Sequence, residues 1–230
     1  HLNSFPEYKG KIHLTGLFSF KSPSGPYYDY FKGRIVFPYW RGGKIVYMLA
    51  RATNHTLQDK YEGHTDNNGN YEYIKYKKLR TYDPDDDKRK YFSRFIQNDV
   101  FMGEDTIYGA DEIIITEGAP DWVSAVDHGF NAISPVTVSF REKDFEKLEM
   151  LTRNVKSIFV INDNEENNAG YDGAIKTGKF LTERGRNVFL VVLPRPQGKD
   201  KIDLNEYLKD HTADEDRKST RLTPVTVNNL

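Results

Sequence analysis

The chain has 230 residues, of which 37% are hydrophobic and 29% charged, so it is long enough for one large domain or two small ones. Its 33 lysines and arginines balance 34 aspartates and glutamates, which excludes nucleic-acid binding through a large overall positive charge. It has no cysteine and no apolar run near the ~20 residues of a membrane span. We therefore expect a soluble cytoplasmic protein that has no membrane partner and binds nucleic acid, if at all, through local patches.

The N-terminal half of the sequence favours β structure. Ordered structure is expected to begin near Tyr30, after a turn-rich segment. Two β-rich runs, Arg34–Trp40 and Lys44–Ala50, are joined by paired glycines that supply the positive φ angles of a tight hairpin. A second hairpin is predicted around Asn67–Asn70, with a strand over Tyr71–Lys77 after it.

From residue 111 onward, apolar runs of strand length alternate with stretches of helical spacing. The predicted strands are Ile113–Ile115, Asn131–Ser134, Ser157–Ile161 and Asn187–Leu193. The predicted helices are Pro120–Gly129, Arg141–Thr152 and Gly170–Arg184. This alternation is typical of a parallel sheet with helices on its faces, so we expect an α+β or α/β fold.

Acidic residues stand where the predicted parallel strands end. Glu117 follows one buried strand and Asp163 follows another, at the edge where open α/β sheets bind their ligands. Asp121 lies in the first turn of the next helix, and Glu165 comes two residues after Asp163. Asp203 follows the last predicted strand. The sequence therefore predicts that five carboxylates converge in one crevice.

Such a cluster of carboxylates is stable only if cations neutralise its mutual repulsion. Oxygen ligands without histidine or cysteine suit magnesium or manganese, and we expect one to three such ions and no organic cofactor. A metal held by a few carboxylates, with open positions for water and phosphate, is the usual arrangement for phosphoryl transfer. Spacing alone leaves an alternative equally open, in which residues 163–166 form a solvated acidic loop and Glu117 merely flanks a helix.

Three motifs carry a resemblance to a known module. They read Thr116-Glu117-Gly118-Ala119-Pro120-Asp121, Asp163-Asn164-Glu165 followed by Ala169-Gly170, and Asp203-Leu204-Asn205-Glu206-Tyr207-Leu208. In order, spacing and strand context they resemble the Toprim module of bacterial-type primases and topoisomerases. Upstream, Phe31–Pro38, Leu49–Arg51 and Lys90–Ser93 resemble motifs of bacterial-type replicative DNA primases, which narrows the resemblance to that family.

The resemblance implies a DNA-directed RNA polymerase that makes short RNA primers on single-stranded DNA from nucleoside triphosphates. It implies metal binding by Glu117, Asp163, Glu165 and Asp203, with Asp121 completing the catalytic acids. Template phosphates or the incoming triphosphate would contact basic residues at positions that match the family, namely Lys32, Arg34, Arg51, Lys90 and Arg94.

The same resemblance implies a β-rich basic subdomain over residues 1–105 and a Toprim-type parallel sheet flanked by helices over residues 106–212. Residues 213–230 are expected to be a flexible linker or tail, and residues 54–86 an added hairpin of unknown use. Because the chain begins at His1 rather than Met, we expect a longer parent protein with further domains, and a replicative helicase as a possible partner.

Two departures from the family pattern keep other functions open. Glu165 stands where aspartate is usual, and Asn205 stands where many members carry aspartate. They are the best support for a catalytically weakened module that only binds DNA during replication. A third hypothesis is a Toprim nuclease that hydrolyses phosphodiesters with the same metals, against which the primase-like segment at residues 31–51 argues.

Overall fold

Contacts within the chain divide it into two units. The first contains residues 1–39 and 44–98, and the second contains residues 40–43 and 99–230. The computed structural model describes residues 6–8, 11–20, 27–57, 63–65, 68–87, 89–137, 139–211 and 225–226. The division at residue 98 precedes the predicted domain boundary at residue 105 by a few residues, and the functional roles of the two domains stay predictions.

In the first unit, ordered structure begins well before Tyr30. A short 3-10 helix at Ile12–Thr15 precedes an antiparallel pair of strands, β1 (Phe18–Phe20) and β2 (Tyr27–Asp29). The expectation of a start near Tyr30 is therefore wrong. These strands are only three residues long, too short to show a sequence period, and their pairing includes the contact of the Phe18 and Tyr27 rings, whose centroids are 6.0 Å apart.

The predicted hairpin of the first unit is confirmed. Strands β3 (Arg34–Arg41) and β4 (Lys44–Ala52) are neighbours in one sheet, and the two glycines between them adopt φ angles of 57° and 72°. Only glycine adopts two such angles in succession without strain. Tyr39 and Tyr47 are buried and meet edge to face, with ring centroids 5.9 Å apart.

The predicted second hairpin is also confirmed, but the strand after it is divided. After a one-turn helix α1 (Asn54–Leu57), strands β5 (Gly63–Thr65) and β6 (Tyr71–Tyr73) pair antiparallel. Strand β7 (Tyr76–Lys78) instead pairs antiparallel with β4 and completes the sheet in the order β3-β4-β7. The single strand predicted over Tyr71–Lys77 is therefore wrong, because its two ends pair with different partners.

Five strands of the second unit form one sheet. From edge to edge they are β14 (Val225–Thr226), β12 (Val188–Leu190), β10 (Ser157–Ile161), β8 (Glu112–Thr116) and β9 (Ala132–Ile133). The last four are parallel, and β14 runs antiparallel to β12. The predicted parallel sheet is confirmed, although the strand expected over Asn187–Leu193 is shorter than predicted.

Helices cover both faces of this sheet, as the sequence predicted. They are α2 (Ala119–Asp127), α3 (Glu142–Leu151), α4 (Ala169–Thr182) and α5 (Leu204–Lys209). Ile113 and Ile115 share one buried core with residues of α3 and α4, whereas Ile114 between them shares another with residues of α2 and α5. A strand buried on both faces needs a continuous apolar run, which explains the three consecutive isoleucines.

Two short strands complete the second unit at the carboxyl end of the sheet. Strand β11 (Asn164–Glu165) pairs antiparallel with β13 (Lys201–Ile202). The predicted tail at residues 213–230 lies outside the described residues except at β14. Within the described part of the chain, no helix is both long and apolar enough to span a bilayer.

Candidate active site

Glu117 and Asp163 lie side by side. Strands β8 and β10 are parallel neighbours whose last residues, Thr116 and Ile161, are paired, so the two acids leave the sheet at the same edge. The backbone N–H of Asp163 donates a hydrogen bond of 3.3 Å to Oε2 of Glu117. The expectation that these acids, 46 residues apart in the chain, lie close together is met by this contact, and their role as metal ligands stays a prediction.

Asp121 and Asp203 approach the same edge from helices α2 and α5. Asp121 lies in the first turn of α2, is only 8% exposed, and accepts a 3.1 Å hydrogen bond at Oδ1 from the backbone N–H of Asn205. Asp203 is the N-cap of α5 and accepts a 2.7 Å hydrogen bond from the backbone N–H of Glu206. Asp121 therefore ties the start of α2 to the start of α5.

Glu165 and Lys201 face each other across the β11–β13 pair. They are direct partners in the antiparallel register. The Lys201 ammonium contacts Oδ2 of Asp163 and lies 3.8 Å from Oε2 of Glu165. Lys201 was not among the residues that the sequence singled out. One feature of the sequence could have indicated Lys201. It lies two residues before Asp203, and at that spacing both side chains lie on one side of an extended segment.

Burial and mutual repulsion shift the protonation of these acids. Burial, and then the charge of Asp163, raise the pKa of Glu117 to about 7. The same two causes, in the same order, raise the pKa of Asp121 to about 7. Burial also raises the pKa of Asp163, although Lys201 opposes that rise. Without a bound cation, the site therefore retains protons near neutral pH.

The start of helix α4 packs closely on the acids. A Cβ atom at Gly170 would lie 2.4 Å from the carbonyl oxygen of Asp163 and 3.0 Å from Oε2 of Glu117. Only a residue without a side chain allows that approach. The Ala169-Gly170 pair of the sequence motif thus has a steric reason, since it lets α4 begin against the loop that carries Asp163.

The donor atoms suit a hard divalent cation, although the described side chains are not gathered around one metal position. All five predicted ligands and catalytic acids offer carboxylate oxygens, the preferred donors of magnesium and manganese. Among the described residues, however, no three histidine, cysteine or acidic side chains already stand in an arrangement that would hold a metal ion. The Lys201 ammonium supplies positive charge to Asp163 and Glu165 instead.

The basic residues singled out by the sequence all lie in the first unit, in different settings. Arg34 is 9% exposed and its Nη1 donates a 2.8 Å hydrogen bond to the carbonyl of Ile74. Beside it is a cavity of about 600 Å³, lined also by Asp29, Thr53 and His55. Arg34 thus donates a hydrogen bond within the protein. Its predicted role in binding phosphate does not require this bond.

The other four basic residues are more accessible than Arg34. Lys32 is exposed, and Arg51 is half-buried with its guanidinium carbon 5.9 Å from the centre of a tyrosine ring. Lys90 pairs with Asp87 at 2.7 Å. Arg94 donates a 3.0 Å hydrogen bond to the hydroxyl of Tyr82. All four side chains are accessible to solvent, so a phosphate could reach them. Their role in binding phosphate stays a prediction.

Comparison with known proteins gives these features a context. No family model matches the chain. Over 220 residues it is 24% identical to a DNA primase of Halalkalibacterium halodurans. The alignment covers 90% of this chain and 30% of that protein. Sequence and fold agree with a bacterial-type DNA primase.

Solved primase structures share the fold. A crystal structure of the Aquifex aeolicus primase, with zinc-binding and RNA polymerase domains, aligns with a TM-score of 0.66 at 19% identity, covering 92% of this chain and 45% of that one. A structure of the DnaG primase catalytic domain bound to single-stranded DNA aligns with a TM-score of 0.65 at 15% identity, covering 98% and 62%. The mixed fold with four parallel strands between helices therefore matches the DnaG catalytic core.

The matched region is only part of these relatives. The chain spans 28% to 32% of the length of the curated DNA primases that it matches. Whatever the rest of those proteins contributes lies beyond the aligned region.

Proposed function

We propose that this chain is the catalytic core of a DNA primase, which synthesises short RNA primers on single-stranded DNA by metal-dependent nucleotidyl transfer in the cytoplasm. One observation carries the proposal: Glu117 and Asp163 lie in contact at the carboxyl ends of adjacent parallel strands, inside a fold that matches the primase core. Asp203 and Glu165 stand close enough to raise the pKa of Asp163, and the charge of Asp163 in turn raises the pKa of Asp121.

Each acid has a distinct part in the proposed site. Glu117, Asp163, Glu165 and Asp203 would hold magnesium or manganese, which would supply the charge that stabilises the transferring phosphoryl group. Asp121 would position this set, because its hydrogen bond to the backbone of Asn205 ties the loop that carries Asp203 to helix α2. The raised pKa values of Glu117 and Asp121 mean that cation binding releases protons from the site.

The proposed partners follow from the same argument. Nucleoside triphosphates would bind through the metal site, and the template would bind through phosphate contacts of Lys32, Arg51, Lys90 and Arg94, with Arg34 contacting DNA or triphosphate from its cavity. A DnaG catalytic domain with this fold has been solved bound to single-stranded DNA, which supports the choice of template. A helicase and further domains of a longer parent chain are proposed from the resemblance alone.

Primer synthesis tests the proposal directly. The chain is incubated with single-stranded DNA, labelled ribonucleotides and magnesium or manganese, and we expect short labelled oligonucleotides. Glu117→Gln and Asp163→Asn should abolish the product, because each removes a metal-binding charge and keeps the size of the side chain. Unchanged circular dichroism of both variants would show that the fold is intact.

The matched control is Glu142→Gln. Glu142 is a solvent-exposed acid in the first turn of α3 whose partner is Lys176, so its loss should leave synthesis unchanged. Persistent synthesis by the Glu117 variant would refute the assignment of the site. Degraded template in place of new product would establish the nuclease alternative, and DNA binding without either reaction would establish the weakened binding module.

A further inference from the structure

We propose that Lys201 is the internal counter-ion of the acid site: it holds Asp163 and Glu165 together in the metal-free chain and has to leave them when a divalent cation binds. Lys201 would then be a positioning residue that sets the affinity of the site for metal. The inference rests on the proposed function, because it treats these acids as metal ligands.

The β11–β13 pair builds this contact into the backbone. The register places Lys201 directly opposite Glu165, so the two side chains leave the pair on the same face. From there the ammonium reaches Oδ2 of Asp163 and lies 3.8 Å from Oε2 of Glu165. The two carboxylate side chains are only 9% and 22% exposed, whereas that of Lys201 is 45% exposed. The lysine is therefore the member of the group that can swing into solvent.

The charge of Lys201 reaches beyond its two direct partners. It is the cation that favours the ionised forms of Glu117 and Asp121 as well as that of Asp163. These are acids that burial and mutual repulsion otherwise drive towards the neutral form. One lysine thus compensates part of the charge of the whole site.

A divalent ion and the lysine compete for the same oxygens. Both need the charge of Asp163 and Glu165, and two cations held a few ångströms apart in a half-buried site repel each other. The four-carbon stem of lysine is flexible and its ammonium is strongly hydrated, so Lys201 is the partner that is released. Removing its charge should therefore make the site bind metal more tightly.

The test is metal binding by the chain without template or nucleotides. Manganese binding is measured by electron paramagnetic resonance or calorimetry at pH 8, and thermal melting is followed in EDTA and with added manganese. Lys201→Ala and Lys201→Gln should bind manganese about tenfold more tightly than the unchanged chain, equivalent to about 1.4 kcal/mol. Both should also melt at lower temperature in EDTA and gain more from manganese.

Two control variants separate charge from packing. Lys201→Arg keeps the positive charge and should bind manganese no more tightly than the unchanged chain. Lys199→Ala removes a nearby lysine whose partner is the half-exposed Glu206, and it should also leave manganese binding unchanged. Lys201→Gln guards against a folding defect of the alanine variant, because it keeps most of the side chain.

The outcomes distinguish this inference from the proposed function. Unchanged or weaker manganese binding by both Lys201→Ala and Lys201→Gln refutes competition by Lys201, even if the chain makes primers. Tighter binding by these two variants and not by Lys201→Arg supports it. A chain that shows this order of affinities but makes no primers refutes the proposed function alone.

Discussion

Asp121→Asn should stabilise the metal-free chain at pH 8, although it removes a buried hydrogen-bonded acid. Asp121 is 8% exposed, and burial together with the charge of Asp163 raises its pKa from 3.8 to about 7. A folded chain that binds this proton more tightly than the unfolded chain loses stability as pH rises from about 4 to about 7. Above pH 7 Asp121 is ionised in the folded chain as well, so the full cost of burying its charge is subtracted from the free energy of unfolding.

The magnitude follows from the size of the pKa change. A difference of about 3 in pKa, at about 1.4 kcal/mol for each unit, corresponds to an upper bound on the order of 4 kcal/mol. Asparagine is neutral at every pH and retains an oxygen that can accept the 3.1 Å hydrogen bond from the backbone N–H of Asn205. The variant should therefore recover part of this energy at pH 8 and a smaller part at pH 5, because the loss begins near the unfolded pKa of 3.8.

Urea unfolding in EDTA at pH 5, 6, 7 and 8 measures the effect. Tryptophan fluorescence is a suitable probe, since both tryptophans, Trp40 and Trp122, belong to the second unit. The unchanged chain should lose stability from pH 5 to pH 8, and Asp121→Asn should lose less. The variant should still lose some stability as pH rises, because the pKa of Glu117 is raised as well. Glu117 is less buried than Asp121, so solvent screening makes its contribution smaller.

Asp172→Asn is the matched control, because Asp172 is an exposed acid in the first turn of α4. Its pH profile should run parallel to that of the unchanged chain, with an offset below about 1 kcal/mol. An Asp121→Asn profile as steep as that of the unchanged chain, or a loss of stability at pH 8, would refute the reasoning from burial and repulsion.

Two further predictions concern close packing and DNA binding. Gly170→Ala should destabilise the chain by about 1–3 kcal/mol in urea unfolding and weaken manganese binding. The reason is that its Cβ would overlap the backbone of Asp163. Gly185→Ala, at an open turn, is the control for metal binding. Arg34→Ala should cost about 1–3 kcal/mol of stability through its bond to Ile74. If Arg34 also contacts a phosphate, the salt dependence of DNA binding should fall by about one ion; an unchanged slope would leave Arg34 a purely structural role.

The sequence was sufficient to predict the four parallel strands of the second unit and the acids at their ends, but not the antiparallel edge strand β14. The apolar runs at Ile113–Ile115 and Ser157–Ile161 are too short for helices and are buried on both faces, so they specify parallel strands. Because parallel strands end at one edge, the positions of Glu117 and Asp163 just after them predicted their proximity. This part of the site depends only on local pattern and topology.

Several elements of two or three residues were not predicted from the sequence. Strands β1, β2, β11 and β13 carry no measurable period, and the tyrosine-rich segment at residues 71–78 pairs at its two ends with different partners. Lys201 was missed for the same reason, since its contact with Asp163 depends on the register between residues far apart in the chain.

What the sequence by itself determined is which acids stand at the ends of the strands, because strand pattern and chain direction are local properties. Their protonation, and the lysine that compensates them, were decided only by the tertiary structure. Burial and the charge of Asp163 raise the pKa of Glu117 and that of Asp121 to about 7. The pairing of the two-residue strands β11 and β13 places Lys201 beside the acids. Desolvation and Coulomb repulsion depend on distances between residues remote in the chain, which packing alone sets.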